Sequence, residues 1–236
     1  MSAEMKKSNH YEMEIVSGSS ISTSVESKAY TISLPKAAKR TLDIFGALFG
    51  LVLLLPVFIL ITLLMKIKEP SGSVFFKQNR IGKNMASFKI IKFRSMIVNA
   101  EEKLRADNAL YQKYVENNYK LEQDEDPRIT KLGRFLRKTS LDELPQLINV
   151  LKGEMSLVGP RPVVRDELKE YGDRFVDFLS VKPGITGYWQ VSGRSNVGYP
   201  ERVDLELHYI YHHSIWLDIK ILFMTVWNVL LKRGAY

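Results

Sequence analysis

The sequence predicts an α/β chain, mostly helical with one small β-hairpin, held to a membrane by an apolar segment near its N-terminus. Three observations carry this prediction. A 24-residue run from Leu42 to Met65 contains a single charge, Asp43. Two runs that mix Val, Ile and Phe with cations flank the turn signal Gly82-Lys83-Asn84. Most of the rest shows apolar residues at helical spacing. A mean hydropathy of −0.12 excludes a many-span membrane protein.

The elements follow in order. Residues 1–35 read as a disordered polar tail: eleven are Ser or Thr, and the apolar ones show no period. The first long apolar run starts near Leu42, too late for a signal peptide. As a helix, Leu42 to Met65 would extend ~36 Å, enough to cross a hydrocarbon core. Pro56 removes a backbone bond in its middle, so a bend or break is expected there. Lys36, Lys39 and Arg40 precede the run, and Lys66 and Lys68 follow it. Cations on both sides give a simple span no orientation, and they suit a hairpin that enters and leaves on one face. Hydropathy leaves both topologies open.

Residues 74–98 are expected as strands and 99–122 as an amphipathic helix. Asp124-Glu125-Asp126 reads as a solvated acidic loop. Helices are expected at 129–138 and 141–152, with Gly153 as a stop. Residues 156–162, SLVGPRP, form a stiff turn, and 163–179 are helical. A glycine-rich loop precedes one or two helices over 201–233. The last of these, with Trp216, Trp227 and its basic end, suits either a membrane interface or a core.

Composition narrows the function. The 236 residues include no cysteine, which rules out disulfide scaffolds and thiolate metal sites. The formal net charge is +8; residues 1–35 hold three Lys and four Glu, so the remainder carries +9. A basic body implies an anionic partner: nucleic acid, a phosphorylated substrate or an acidic lipid surface. No P-loop, GxGxxG or nucleic-acid recognition motif occurs, so no nucleic-acid partner is expected.

The richest stretch for chemistry is residues 126–162. Ser140-Leu141-Asp142-Glu143 has the capping-box pattern, which by itself calls only for a helix start. Lys131, Arg134, Arg137 and Lys138 precede the two acids, and Arg161 follows. Crowded cations are expected to keep both carboxylates ionised. An ionised Asp beside a phosphate site is a nucleophile able to form an acyl phosphate. An adjacent Glu can bind Mg²⁺ or act as a base. Arg161, between two prolines, can grip phosphate or serve as a structural ion pair. His208, His212 and His213 lack a metal-ligand pattern and read as ordinary helix residues.

Four blocks, KFRSM, DPRITKLGRFLRKTSLDELPQL, SLVGPRP and PGITGYWQVSGR, together resemble the bacterial sugar transferases. These are monotopic phosphoglycosyl transferases, or polyprenyl-phosphate hexose-1-phosphate transferases. The resemblance runs from about Lys36 to the C-terminus. It implies transfer of a sugar-1-phosphate from a UDP-sugar to undecaprenyl phosphate, with release of UMP and a requirement for Mg²⁺. The family's dyad falls on Asp142 and Glu143. It implies that Asp142 attacks the β-phosphorus and carries the phosphosugar, and that Glu143 binds the metal. Arg137 and Arg161 match its phosphate-binding arginines. Lys92 and Arg94 of the first block, and Gln190 and Arg194 of the last, join the same phosphate- and substrate-binding set.

The resemblance further implies a re-entrant helix broken at Pro56. The expected organisation is a tail over 1–35, a re-entrant membrane helix over 36–68, and a catalytic domain over 69–236 on the cytoplasmic face of a bacterial membrane. The chain would be a minimal catalytic version that begins exopolysaccharide or capsule synthesis. Galactose or glucose is the expected sugar, with N-acetylated and diacetamido sugars open. A homodimer stays open. The rival readings are a non-enzymatic basic membrane-surface protein and a metal-dependent lipid-diphosphate hydrolase.

Overall fold

A computed structural model describes residues 36–116, 121, 124–192 and 197–231. The expected tail, residues 1–35, and Arg194 lie outside them. The apolar run becomes two helices, α1 (Lys36–Leu53) and α2 (Leu55–Lys68). They are bent by 57° at the break beside Pro56. The proline sits in the first turn of α2, where a missing N–H costs nothing. Among the described residues no single helix is long and apolar enough to cross a membrane, but the bent pair together has that length and composition.

Each helix of the pair buries one face. On α1, Asp43 and Ala47 are buried, and a Cβ at Gly46 would sit 2.5 Å from Leu157. Asp43 accepts hydrogen bonds from Ser156 Oγ at 2.8 Å and the Leu157 N–H at 2.9 Å. Spacing of three and four residues puts these positions on one side. On α2, Ile61 and Met65 pack with Phe93 and Leu136. The opposite faces expose Phe45, Phe49, Val52, Leu60 and Leu63.

Strands β1 (Phe75–Ile81) and β2 (Ser87–Phe93) form the expected antiparallel hairpin, with Phe75 opposite Phe93 and Ile81 opposite Ser87. Asn84 turns the chain with φ of 54°, a left-handed value that asparagine tolerates. The helix expected over 99–122 is instead two, α3 (Ala100–Ala106) and α4 (Asn108–Glu116). Asp107 makes the break, and its carboxylate accepts from the Leu110 N–H at 3.0 Å. A short acidic side chain competes with helix continuation in this way. The acidic loop also differs from expectation. Asp126 is buried and pairs with Arg128 at 2.8 Å, while Asp124 and Glu125 are exposed.

Helix α5 (Lys131–Lys138) starts at Thr130, whose side chain accepts from the Gly133 N–H. The helix expected over 141–152 divides into a 3-10 turn, Leu141–Glu143, and α6 (Gln146–Lys152). Gly153, with φ of 81°, ends α6 as expected. Asn149 of α6 closes the free edge of β2: it accepts from the Ile91 N–H and donates to the Lys89 carbonyl. Strand β3 (Ser156–Val158) pairs in parallel with β4 (Gly184–Thr186). Between them, residues 165–174 form a 3-10 stretch rather than the expected helix, followed by α7 (Phe175–Phe178).

Helices α8 (Tyr188–Ser192), α9 (Glu201–His212) and α10 (Ile215–Leu230) complete the chain. The main core joins α6, β3, α9 and the inner side of α10 through Val150, Val158, Val203, Leu207 and Ile221. Asp218 of α10 is fully buried and accepts from Lys39 Nζ and Tyr209 Oη, each at 2.7 Å. The outer side of α10 exposes Trp216, Phe223 and Trp227.

Candidate active site

The site forms where the end of β2, the α5–α6 junction and the loop after β3 meet. The Ser140-x-x-Glu143 pattern does not cap a helix. The Ser140 side chain makes no capping hydrogen bond, and its backbone lies in the left-handed region with φ of 56°. Ser140 therefore turns the chain out of α5 and into the 3-10 turn that carries Asp142 and Glu143.

The two carboxylates meet different surroundings. Glu143 is part-exposed, and its Oε1 accepts from Lys92 Nζ at 2.6 Å. Burial opposes its charge, but Lys92 and Arg161, together with hydrogen bonds from Lys92 and Gln146, outweigh it. Its pKa is held below the usual range. Asp142 is 8% exposed. Burial, then the neighbouring Glu143, push its pKa up to about 6, against the pull of Lys92 and Arg137. Both carboxylates are thus ionised at neutral pH, as the cations predict, but Asp142 by a much narrower margin than Glu143. At Asp142, desolvation outweighs them.

A cleft lined by Lys92, Glu143, Arg161 and Gln190 brings together residues far apart in sequence. Arg161 stands on the turn after β3. Its backbone N–H donates to Glu206 at 3.1 Å, and its guanidinium lies 5.9 Å from the Trp189 ring centre. Arg137 approaches Asp142 from α5 and donates from Nε to Ser95 Oγ at 2.8 Å. Burial lowers the Arg137 pKa. Arg94 points elsewhere, pairing with Glu69 after α2 at 3.0 Å, with its guanidinium packed on Gly72. The three histidines bond local backbone: His212 Nδ1 meets the His208 carbonyl, and His213 Nδ1 that of Ile210.

Two polar side chains of the lining escaped the sequence reading, Arg80 and Gln146. The hairpin register contained the signal for Arg80. Its parity places Arg80, Ile90 and Lys92 on one face of the sheet. Gln146 carried none, because its position depends on the 3-10 turn.

Among the described residues no group of three or more His, Cys, Asp or Glu converges on a metal. The donors do fit Mg²⁺, which takes one or two protein carboxylates and completes its shell with phosphate oxygens and water. Asp142 and Glu143 are such a pair, with Glu143 open to the cleft.

A family model described as bacterial sugar transferase matches residues 34–232. The chain belongs to this family. Named relatives agree. The UDP-galactose-lipid carrier transferase of Erwinia amylovora is 48% identical over 84% of this chain and 41% of its own length. The UDP-glucose:undecaprenyl-phosphate glucose-1-phosphate transferase of Escherichia coli K12 is 41% identical over 84% of this chain and 41% of its own. The exopolysaccharide production protein ExoY of Sinorhizobium fredii is 43% identical over 84% of this chain and 88% of its own. The chain thus spans about two fifths of the length of some curated relatives it matches and nearly all of another.

Proposed function

We propose that this member of the bacterial sugar transferase family moves a sugar-1-phosphate from a UDP-sugar to undecaprenyl phosphate. The observation that carries the reading is the meeting of Asp142 and Glu143 with Lys92, Arg137 and Arg161 from three separate segments. Phosphoryl transfer demands positioning and charge neutralisation above all, and this cluster supplies both.

In this reading the Asp142 carboxylate attacks the β-phosphorus of the donor. A bond from carboxylate oxygen to phosphorus forms, the bond to the UMP oxygen breaks, and UMP leaves. A phosphate oxygen of the lipid then attacks the same phosphorus, releasing Asp142 and giving the undecaprenyl-diphosphate sugar. The cations hold the phosphates in line, and Lys92 fixes Glu143 through its hydrogen bond. Mg²⁺, held by Glu143 with Asp142 adjacent, would supply neutralisation of phosphate charge. Galactose or glucose is the favoured sugar, the two that the names of the relatives carry. The exopolysaccharide role named for ExoY supports the first membrane step of exopolysaccharide or capsule synthesis.

The bent pair α1–α2 is read as re-entrant, with the catalytic domain on the cytoplasmic face. Buried Asp43 at one end of the pair and the basic flanks at both ends support this. Cysteine accessibility should then find residues 36–40 and 66–68 on the same side of a membrane; opposite sides would exclude a re-entrant pair.

The test of activity is UMP release from a panel of UDP-sugars with Mg²⁺, with and without undecaprenyl phosphate. Lipid-dependent turnover with one sugar is expected. Hydrolysis of a lipid diphosphate without nucleotide release would favour the hydrolase reading instead.

A further inference from the structure

Arg80 is a charged side chain whose surroundings do not account for it. It stands near the end of β1, with its side chain 15% exposed, and it lines the same cleft as Lys92, Glu143 and Arg161. Its partners are few and mostly distant. One terminal nitrogen donates to Gln78 at 2.8 Å. The other reaches the Pro162 carbonyl at 3.3 Å and Glu167 Oε1 at 3.4 Å, both long for hydrogen bonds. Its Nε is buried and meets no hydrogen-bond partner among the described residues.

Glu167 is also a divided partner. It takes contacts from Tyr199 Oη at 3.3 Å, the Val164 N–H at 3.4 Å and Arg202 at 3.9 Å. Charge deepens the imbalance. Arg80, Lys92 and Arg161 line the cleft against one lining carboxylate, Glu143. Asp142, beside them, is answered by Lys92 and Arg137. Behind the wall, Arg202 faces Glu167 and Glu206, and burial pushes the Glu206 pKa up. Burial, with Arg161 and Arg202 nearby, also lowers the Arg80 pKa. A confined excess of cations with an orphaned guanidinium N–H is a site that lacks its anion.

We propose that Arg80 is a substrate-contacting residue which, with Lys92 and Arg161, holds the diphosphate of the nucleotide-sugar donor. A diphosphate offers several oxygens to guanidinium forks and carries the charge this cleft needs. Hairpin parity gives the arrangement its rigidity, since Arg80 and Lys92 stand on one face of one sheet. The proposal rests on the transferase reading for the identity of the donor, but not for the binding of a diphosphate.

The test uses the full chain in detergent or nanodiscs. Inorganic pyrophosphate is the probe, by calorimetry and as a competitor of UMP release. Arg80→Gln should weaken pyrophosphate binding on the order of tenfold to a hundredfold, the scale of one charged hydrogen-bonded contact. It should also raise KM for the UDP-sugar while leaving KM for the lipid phosphate in place. Arg80→Lys, which keeps the charge and loses the fork, should recover part of the affinity. Glu167→Gln removes only the structural partner and should leave pyrophosphate affinity at least as high as in the natural chain.

Equal binding by the natural chain and Arg80→Gln, or none by the natural chain, overturns the proposal. A loss in Glu167→Gln equal to that in Arg80→Gln also overturns it and makes Arg80 a structural tie. If Arg80→Gln fails to fold, Arg80→Lys decides: affinity equal to that of the natural chain overturns the proposal, and a loss supports it. Arg80-dependent pyrophosphate binding without UMP release from any UDP-sugar would defeat the transferase reading alone.

Discussion

Among the described residues, two of the buried clusters of acids and cations are finished to different degrees. The first joins α1, β3, α9 and α10. Asp43 holds Ser156 and the backbone of Leu157, and Asp218 holds Lys39 and Tyr209, all within 2.9 Å. Lys39 adds a bond to the Val158 carbonyl. The second is the cleft, where Asp142 is driven towards its protonated form and Arg80 keeps an unused N–H. A buried charge is tolerable when its partners are complete. The first cluster meets that condition and acts as a joint that ties α1 to β3, α9 and α10. The second falls short of it, and the shortfall is what a phosphorylated substrate can fill.

The largest effect that would break this contrast lies at Asp142. Asp142→Asn should lower UMP release at least about a thousandfold, because an amide cannot attack phosphorus. The same change should raise stability at pH 7. A carboxylate held at about 6 against its ordinary 3.8 is destabilised in the fold when ionised. Removing that charge can return up to about 3 kcal/mol. An inactive variant that melts higher fits an unfinished site. Substantial residual turnover, or marked loss of stability, would make Asp142 a structural residue.

The joint should respond the other way. Asp218→Asn leaves Lys39 without its 2.7 Å carboxylate partner. The expected loss of stability is about 2–4 kcal/mol, towards the low end because Lys39 is 20% exposed and water can answer part of its charge. Turnover per folded molecule should stay near that of the natural chain. Denaturant unfolding in detergent, beside UMP release, separates the two quantities. A collapse of turnover with unchanged stability would mean that the clusters are coupled and the contrast is false.

What the sequence revealed divides along the same line. The β-hairpin, the stop at Gly153 and the break at Pro56 follow from local chemistry, and each stands as read. The four family blocks pointed to Asp142, Glu143, Lys92, Arg137, Arg161 and Gln190, which the structure brings together, and to Arg94, which pairs with Glu69 instead. What escaped was decided by tertiary packing. Ser140 sits in a pattern that normally caps a helix, yet the chain takes a left-handed turn there to leave α5. Asp43 read as a lone charge in an apolar run, and its partners come from residues 156 and 157. Arg80 was recoverable, since period-two alternation of the expected hairpin puts it on the same face of the sheet as Lys92. Burial was the other hidden quantity. Counting cations around Asp142 predicts an ionised carboxylate, and desolvation instead brings its pKa up to about 6, a shift that no count of charges contains.

The smallest effect sharpens the contrast within the cleft itself, between Asp142 and Glu143. For kcat/KM towards the UDP-sugar, which reports the free enzyme, the rate should fall about tenfold per pH unit below about 6 as Asp142 takes up a proton. Glu143, held below its ordinary 4.5, stays ionised through that window. Stability should move against activity. The folded-state pKa of Asp142 lies above the unfolded value, so its contribution to stability grows as pH falls through about 6 and is complete below 3.8. Glu206, also raised by burial, adds a gain of the same sign. Asp142→Asn therefore serves as the control: the part of the acid stabilisation due to Asp142 should vanish while that of Glu206 persists. A natural chain whose kcat/KM is flat from pH 5 to 7 would show that Asp142 is already ionised there, and that the cations, after all, outweigh its burial.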